Sequence, residues 1–506
     1  MPILNWLNKD EAITTSKKCT YRLLEEVPEL SYGDADNENL LIQGDNLEAL
    51  KALIPHYAGK VKCIFIDPPY NTKSAFEHYD DNLEHSKWLS LMYPRLELLR
   101  ELLAENGCMF VTIDDNEVDY MKVMLDEIFG RRNFITKAIW QKVFSPKNSA
   151  RHFSVDHDYV LIYAKDSDKW FPNPLPRTEK QNKAYKNPDN DPRGPWMSDN
   201  LTARNPYSLG IYPVMTPSGK QIDGPPPGTY WRVSKNKLME MDADNRIWWG
   251  KDGKGVPRQK RFLSEVKDGR VPQTLWFYEE VGHTQEAKKE AVALSSSNVF
   301  GTPKPERLIE RVIQLGTDKG DIVLDSFLGS GTTAAVAHKM GRKYIGVEIG
   351  EHATSLCQPR LKKVVDGEQG GISTEIGWQG GGGFRFYKLG EAVFDEYGCL
   401  NTDIKFPALA SHIWYLETKT PLGNKADTPL LGVHNDTAYY LLYNGILGDR
   451  RPAGGNVLTS KVLNNLPDID KHERIVIYGE SSRLGEARLK QANITFKQIP
   501  YDVGTL

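Results

Sequence analysis

The chain has 506 residues, 40% hydrophobic and 26% charged, the proportions of a soluble globular protein with room for two or three cores. No apolar run approaches the roughly 18 residues that span a bilayer, and the opening MPILNWLNKDEAITT has no signal-peptide core, so a membrane or secreted protein is not expected. The net charge of −3 hides an asymmetry, since Arg131 to Arg270 holds 26 Lys and Arg against 15 Asp and Glu. Six of the eleven tryptophans share that window, which fits either a nucleic-acid surface or a solvated, loop-rich insertion.

Residues 1–38 read as an N-terminal extension. From 39 to 165 short apolar runs alternate with helical patterns: LLIQGD (40–45), the helix NLEALKALIPHYAG, VKCIFID (61–67), then SKWLSLMYPRLELLRELLAENG. In that last helix Leu89, Met92, Leu96, Leu99 and Leu103 keep 3–4 spacing. GCMFVTID (107–114), the helix EVDYMKVMLDEIFG and the strand VDHDYVLIYAK (155–165) complete this half. Such alternation predicts a parallel α/β sheet that binds ligands at the carboxyl ends of its strands.

Between 166 and 300 the rhythm breaks into Pro-, Asn-, Asp- and Gly-rich stretches such as DGPPPGTYW, the mark of an inserted module that carries most of the excess positive charge. From 301 to 388 it resumes with the helix PERLIERVIQLG, the strand DIVLDSF (321–327), the helix TTAAVAHKMG, the strand KYIGVEI (343–349) and the helix EHATSLCQPRLKKVV. Residues 389–506 read as a smaller C-terminal α/β region ending in strand–helix–strand, RIVIYGE, SSRLGEARLKQAN and ITFKQIP. Cys19, Cys63, Cys108, Cys357 and Cys399 show neither CxxC nor zinc spacing, so a reduced, cytoplasmic protein without disulfides or bound metal is expected.

Two motifs carry chemistry. Asp325-Ser-Phe-Leu-Gly329-Ser-Gly331-Thr-Thr-Ala334 lies where a strand turns into a helix, so its glycines let backbone N–H groups approach a ligand. Gly329, Gly331 and Ala334 also satisfy the dinucleotide fingerprint, with Glu348 one strand later in place for a ribose; the motif alone therefore leaves an NAD-dependent oxidoreductase open. The second is Asp67-Pro68-Pro69-Tyr70 at the end of VKCIFID. Its prolines fix φ and remove two donors, giving a rigid turn that presents a carboxylate, carbonyls and a ring. That set suits an exocyclic amino group. Accepting the amine hydrogens on Asp67 and the Pro68 carbonyl localises the nitrogen lone pair, and Tyr70 can stack on an extruded base.

Those residues, with Asp-Pro-Pro-Tyr first, the basic segment second and Phe327-x-Gly-x-Gly last, resemble the β group of DNA amino-methyltransferases. Within it the chain looks most like the modification subunits of type III restriction systems. The resemblance implies a Rossmann-like S-adenosylmethionine-dependent methyltransferase fold with circularly permuted motifs and an inserted target-recognition domain over 166–300. It makes Asp67, Pro68, Pro69 and Tyr70 the catalytic pocket for transfer to adenine N6. Asp325, Phe327, Gly329, Gly331 and Thr332 would line the methionine side of the cofactor, Glu348 would hold its ribose and Asp45 would contact its adenine. Thr302 and Lys304 match the family's T-x-K-P segment. Implied partners are duplex DNA, a second copy of the chain, through a C-terminal region that serves as a candidate contact surface, and a separate helicase-nuclease restriction subunit.

Cytosine C5 methylation needs a Pro-Cys nucleophile, and none of the five cysteines follows a proline. Cytosine N4 methylation shares fold and chemistry and stays open behind adenine N6, and a silent DNA-binding subunit is disfavoured by intact motifs. His157 reads as structural, Asp114 and Asp115 as a strand terminus and helix cap, and Trp248-Trp249 as either a DNA-stacking pair or a small core.

Overall fold

In the computed structural model, which describes residues 3–72, 84–266, 269–294, 302–395, 399–423 and 426–503, the chain divides into two compact units, Pro174–Pro272 and the rest. The larger unit is built on an eleven-stranded sheet. Its strands are β1 (Arg22–Glu26), β2 (Leu40–Gln43), β3 (Val61–Ile66), β4 (Leu103–Ile113), β5 (Phe134–Gln141), β6 (His157–Ala164), β7 (Leu275–Trp276), β8 (Ile322–Asp325), β9 (Lys343–Glu348) and β10 (Gly383–Ala392). They lie in the order β1-β10-β2-β9-β8-β3-β4-β6-β5-β7, with Tyr32–Gly33 paired to β10 beside that path.

The six strands from β10 to β4 are parallel, but the sheet as a whole is mixed. β6 runs antiparallel to both β4 and β5, and β1 antiparallel to β10. The expectation of a parallel sheet thus fails where strands follow one another without a crossover helix. β5 and β6 are joined by irregular chain, and such neighbours close as a hairpin. β5 itself, FITKAIWQ, went unread because only Ala138 and Trp140 of its residues are buried. The helix expected over 86–107 ends early: Leu103 already pairs with Val61 and Cys108 with Cys63, so the residues between bulge from β4.

Helices cover both faces. Ile64, Ile66, Met109, Val111 and Val347 point to one side and pack with α2 (Asn46–Tyr57), α3 (His85–Leu102) and α4 (Val118–Leu125). Here α1 (Lys9–Lys18) adds Ala12. On the other side Gly316, at the end of α5 (Glu306–Gly316), lies so close to β3 and β4 that a Cβ on it would meet Cys108 Sγ at 2.7 Å and Cys63 Sγ at 3.0 Å. α6 (Thr332–Lys339) and α7 (Gln358–Val365) follow the glycine turn and β9. All five cysteines are free thiols. Among the described residues no helix is long and apolar enough to cross a membrane.

The C-terminal residues form a four-stranded sheet of Leu430–His434, Thr437–Leu441, Arg474–Gly479 and Ile494–Gln498. It belongs to the larger unit, because Leu409, Ile413 and Tyr439 share one apolar cluster with Tyr21 and Ala52.

Pro174–Pro272 has its own small core of Leu201, Tyr212, Val214, Trp231, Leu238, Met241, Ile247 and Trp249. A three-stranded sheet joins Ile247–Trp248, Arg258–Phe262 and Trp196–Asn200. Trp249 belongs to this core, while Trp248 is half-buried and packs on Trp196 with ring centroids 5.2 Å apart. The unit is narrower than the 166–300 expected. Residues 273–294 return to the larger unit, where Trp276 of β7 is buried, and 295–300 lie outside the described residues.

Candidate active site

β8 and β3 are hydrogen-bonded neighbours, Leu324 opposite Ile64, although they lie far apart in sequence. Chain order therefore jumps between them, and in an α/β sheet ligands bind outside the carboxyl ends at such a switch point. Both motifs emerge there, the glycine turn from β8 and Asp67-Pro68-Pro69-Tyr70 from β3.

At the second turn Asp67 Oδ1 accepts a hydrogen bond from Thr112 Oγ1 at 2.6 Å, and Oδ2 forms an ion pair with Lys304. The Lys304 ammonium also stands 5.1 Å from the centre of the Tyr70 ring. Trp88 Nε1 donates to the Pro69 carbonyl at 2.8 Å and fixes the turn on α3. The Tyr70 hydroxyl is buried beside Asp67 and Thr112 without a well-formed hydrogen bond to either. Burial, then the negative charges of Asp67 and Asp158, push this phenol well above its ordinary value.

At the first turn Gly329 (φ 58°) and Gly331 (φ 79°) adopt left-handed backbone, and a Cβ on Gly331 would press on the Cys357 backbone at 3.3 Å. Asp325, Phe327 and Thr332, expected to line a cofactor, have side chains engaged within the turn and the core. Asp325 Oδ1 accepts from Phe327 N at 2.9 Å and Oδ2 from Thr333 Oγ1 at 2.6 Å, so this carboxyl shapes the turn. Burial drives its pKa up to about 7. Phe327 packs in the apolar core, and the Thr332 hydroxyl accepts from Arg360 Nη1 at 2.9 Å. Glu348, at the end of β9, accepts from Gly329 N at 2.6 Å. An adenosine-containing cofactor fits this frame: backbone held open by two glycines, the Glu348 carboxylate at the end of the neighbouring strand, and a buried Ser326 Oγ without a partner.

Asp45 caps α2, accepting from Leu47 N at 2.8 Å and Glu48 N at 3.3 Å, and pairs with Arg95 at 3.1 Å. The next residue ties this cap to the glycine turn, Asn46 Nδ2 donating to Ser326 O at 2.9 Å. Thr302 is exposed, whereas Lys304 of the same segment reaches Asp67.

Three contributors went unread in sequence: Thr112, the Asp158–Lys142 pair (2.5 Å) and Glu306 with Arg360 (2.8 Å). A single carboxylate within the apolar run HDYVLIYA was the available signal for Asp158. His157 sits edge-on to Tyr159, ring centroids 5.0 Å apart, a packing contact. Asp114 accepts from Asn116 N at 2.9 Å, a turn contact, and Asp115 accepts from Tyr159 Oη at 2.9 Å, which ties that turn to β6. Among the described residues no group of three or more His, Cys, Asp or Glu is placed to hold a metal.

The glycine turn and the Asp-Pro-Pro-Tyr turn thus emerge side by side from the carboxyl ends of adjacent parallel strands. The chain belongs to the N6/N4 DNA methylase family, whose model matches residues 61–358. It is similar to the type III restriction-modification enzyme StyLTI Mod subunit of Salmonella typhimurium, 36% identical over 331 residues, 59% of this chain and 49% of that one. It is also similar to the type III EcoPI Mod subunit of Escherichia phage P1, 30% identical over 407 residues, 68% of this chain and 62% of that one. The type II methyltransferase M.EcaI of Enterobacter cloacae is 30% identical over 373 residues, 71% of this chain and 77% of that one. The chain thus spans about half to three-fifths of the type III subunits' length. Family membership displaces the dehydrogenase reading that the glycine turn alone left open.

Proposed function

We propose that the chain is a site-specific DNA methyltransferase that uses S-adenosylmethionine to methylate the N6 amino group of adenine, as the modification part of a restriction-modification system. The observation that carries this is the pairing of β3 with β8, which brings the Asp67 turn beside the glycine turn. S-adenosylmethionine supplies a methyl group activated by its sulfonium. Gly329, Gly331 and Glu348 hold that cofactor in this reading, with Asp45 toward its adenine and Thr302 near its methionine end. Asp325, Phe327 and Thr332 set the shape of the turn.

The chain's own residues prepare the nucleophile. An exocyclic amine is weak because its lone pair spreads into the ring. Asp67 and the Pro68 carbonyl accept its two hydrogens as bonding to carbon develops, an interaction strongest in the transition state. Tyr70 stacks on the flipped base, and Pro68 and Pro69 keep the turn from relaxing. S-adenosylmethionine would supply the methyl group to the amino nitrogen, and Asp67 would take the proton that the nitrogen gives up. Pro174–Pro272 is the target-recognition unit, duplex DNA the substrate, and a second copy and a separate restriction subunit the partners.

Cytosine N4 is the alternative target, supported by a family that spans both chemistries. Expression in a methylation-free host, with modified bases mapped across its DNA, separates them. N6-methyladenine in one sequence context is the expected result. N4-methylcytosine would redirect the target, and unmodified DNA would remove the proposal.

A further inference from the structure

Behind the Asp-Pro-Pro-Tyr turn lies a second carboxylate for which the proposed chemistry has no task. Val160 of β6 pairs with Thr112 of β4, and strand alternation puts Asp158 on the same face as both. That is the face from which Thr112 donates to Asp67. Asp158 is 3% exposed, and its Oδ1 accepts from Lys142 Nζ at 2.5 Å. Lys142 follows directly on β5 and is anchored through its carbonyl, which accepts from Thr284 N at 3.1 Å. Burial and the nearby Asp67 charge raise the Asp158 pKa, while Lys142 and Lys304 oppose the rise. The charged groups facing Asp158 are therefore Lys142 from β5, Lys304 from the segment before α5, Asp67 after β3 and Asp114 after β4.

Lys304 thus acts on two carboxylates but has closed an ion pair with Asp67. If Asp67 is to accept an amine hydrogen, an ammonium on its Oδ2 competes with the substrate. We propose that Asp158 is a positioning residue for the transfer: it offers Lys304 a second carboxylate, so that Lys304 swings off Asp67 as the target amino group arrives. The role rests on the reading of Asp67 as amine acceptor. Lys142 neutralises Asp158 until then, and because Lys304 only passes from one carboxylate to another, the swing changes no net charge within the set.

The test uses the purified full chain, S-adenosylmethionine carrying a labelled methyl group, and DNA from a methylation-free host. For Asp158→Asn we expect kcat to fall about tenfold to a hundredfold, the scale of a misplaced reacting group. KM for cofactor and for DNA should stay within about twofold, because neither binds through Asp158 in this scheme. Asp158→Glu should recover part of the loss, and adding Lys304→Met to Asp158→Asn should cost less than it does alone. An unchanged kcat overturns the role, as does a loss of activity matched by higher KM values and lower thermal stability. Should Asp158→Asn not fold, the exchange Asp158→Lys with Lys142→Asp keeps a buried ion pair but turns a cation toward Lys304. Loss of kcat in that folded variant supports positioning, and full activity overturns it. A wild-type chain that transfers no methyl group removes the reading of Asp67 and this role with it, whereas an active wild type with an unaffected Asp158→Asn removes the role alone.

Discussion

Arg360 joins Glu306 to the glycine turn: its Nη2 donates to Glu306 Oε1 at 2.8 Å, while its Nη1 donates to Thr332 Oγ1 at 2.9 Å and to Ser330 O at 3.3 Å. Glu306 stands two residues after Lys304 and also accepts from Lys339 Nζ at 2.8 Å and from Ile372 N at 3.1 Å. Glu306 and Arg360 are almost wholly buried. The segment that delivers Lys304 to Asp67 and the glycine turn are therefore tied through a buried cluster of Glu306, Arg360 and Lys339.

Removing one member of a buried pair costs up to roughly 3–5 kcal/mol where the other charge is left alone, and here Lys339 stays on Glu306 and holds the cost at or below the lower end of that range. Arg360→Met should lower unfolding stability on that scale, read as a shift of the urea midpoint. It should also weaken S-adenosylmethionine binding, because Ser330 and Thr332 lose their tether. A variant with wild-type stability and cofactor affinity would show that Lys339 alone holds Glu306.

Asp67→Ala removes the amine acceptor and frees Lys304. Methyl transfer should fall at least about a hundredfold to a thousandfold, as when a preorganised polar partner of the transition state is lost. Cofactor affinity by calorimetry should stay near wild type, since the glycine turn is untouched. Near-normal methylation by a folded Asp67→Ala chain would falsify the catalytic assignment.

What sequence revealed and what it concealed follow from the range of each interaction. Asp67-Pro-Pro-Tyr70 and Gly329-x-Gly331 are read correctly at their strand ends because prolines and glycines act on their own backbone. The direction of β6 depends on what it pairs with, so VDHDYVLIYAK gives a strand but no orientation. Asp325 and Thr332 look like ligand-facing positions in a list of motif residues. The contacts that occupy their side chains, with Thr333 and Arg360, leave no mark in the motif itself. Glu306 and Arg360 are 54 positions apart, and no periodicity couples such a pair. The tryptophans of the basic window pointed toward DNA by composition, yet Trp196, Trp231 and Trp249 are buried. A tryptophan count reports burial as readily as binding.

The pH dependence of stability carries a sign that one substitution can isolate. Burial lifts Asp325 from its ordinary 3.8 to about 7. Between those values the folded chain keeps a proton that the unfolded chain has lost. Stability from this group is thus full below about pH 4, declines as pH rises, and is lost above about 7. Asp325→Asn cannot ionise, so the wild type should lose stability relative to it over that window, by on the order of a few kcal/mol. Urea unfolding of both chains at pH 4.5, 6 and 8 tests this, and parallel curves would show that Asp325 ionises as easily folded as unfolded.

Within Pro174–Pro272 the charges are sorted along the three-stranded sheet. At the end where Trp196 pairs with Phe262, Lys260, Arg193 and Arg246 are matched by Asp189, Asp191, Asp244 and Glu265. Toward the other end, where Asn200 pairs with Arg258, the exposed Arg204, Lys251 and Lys254 have no acidic partner among the described residues, with Asp252 between the two lysines. The turn from Tyr207 is pinned there by the bond from Trp231 N to Gly210 O (2.8 Å), and it leaves Leu209 and Ile211 exposed. Cations without partners lose least by pairing with phosphates, so this end should meet the DNA backbone. Arg204→Gln and Lys251→Gln should each weaken DNA binding across sequences and reduce the slope of log affinity against log salt by about one. Lys183→Gln, whose lysine already pairs with Glu179 at 2.9 Å, should leave that slope unchanged. Equal slopes for all three variants and the wild type would move the DNA contact to another face of the unit.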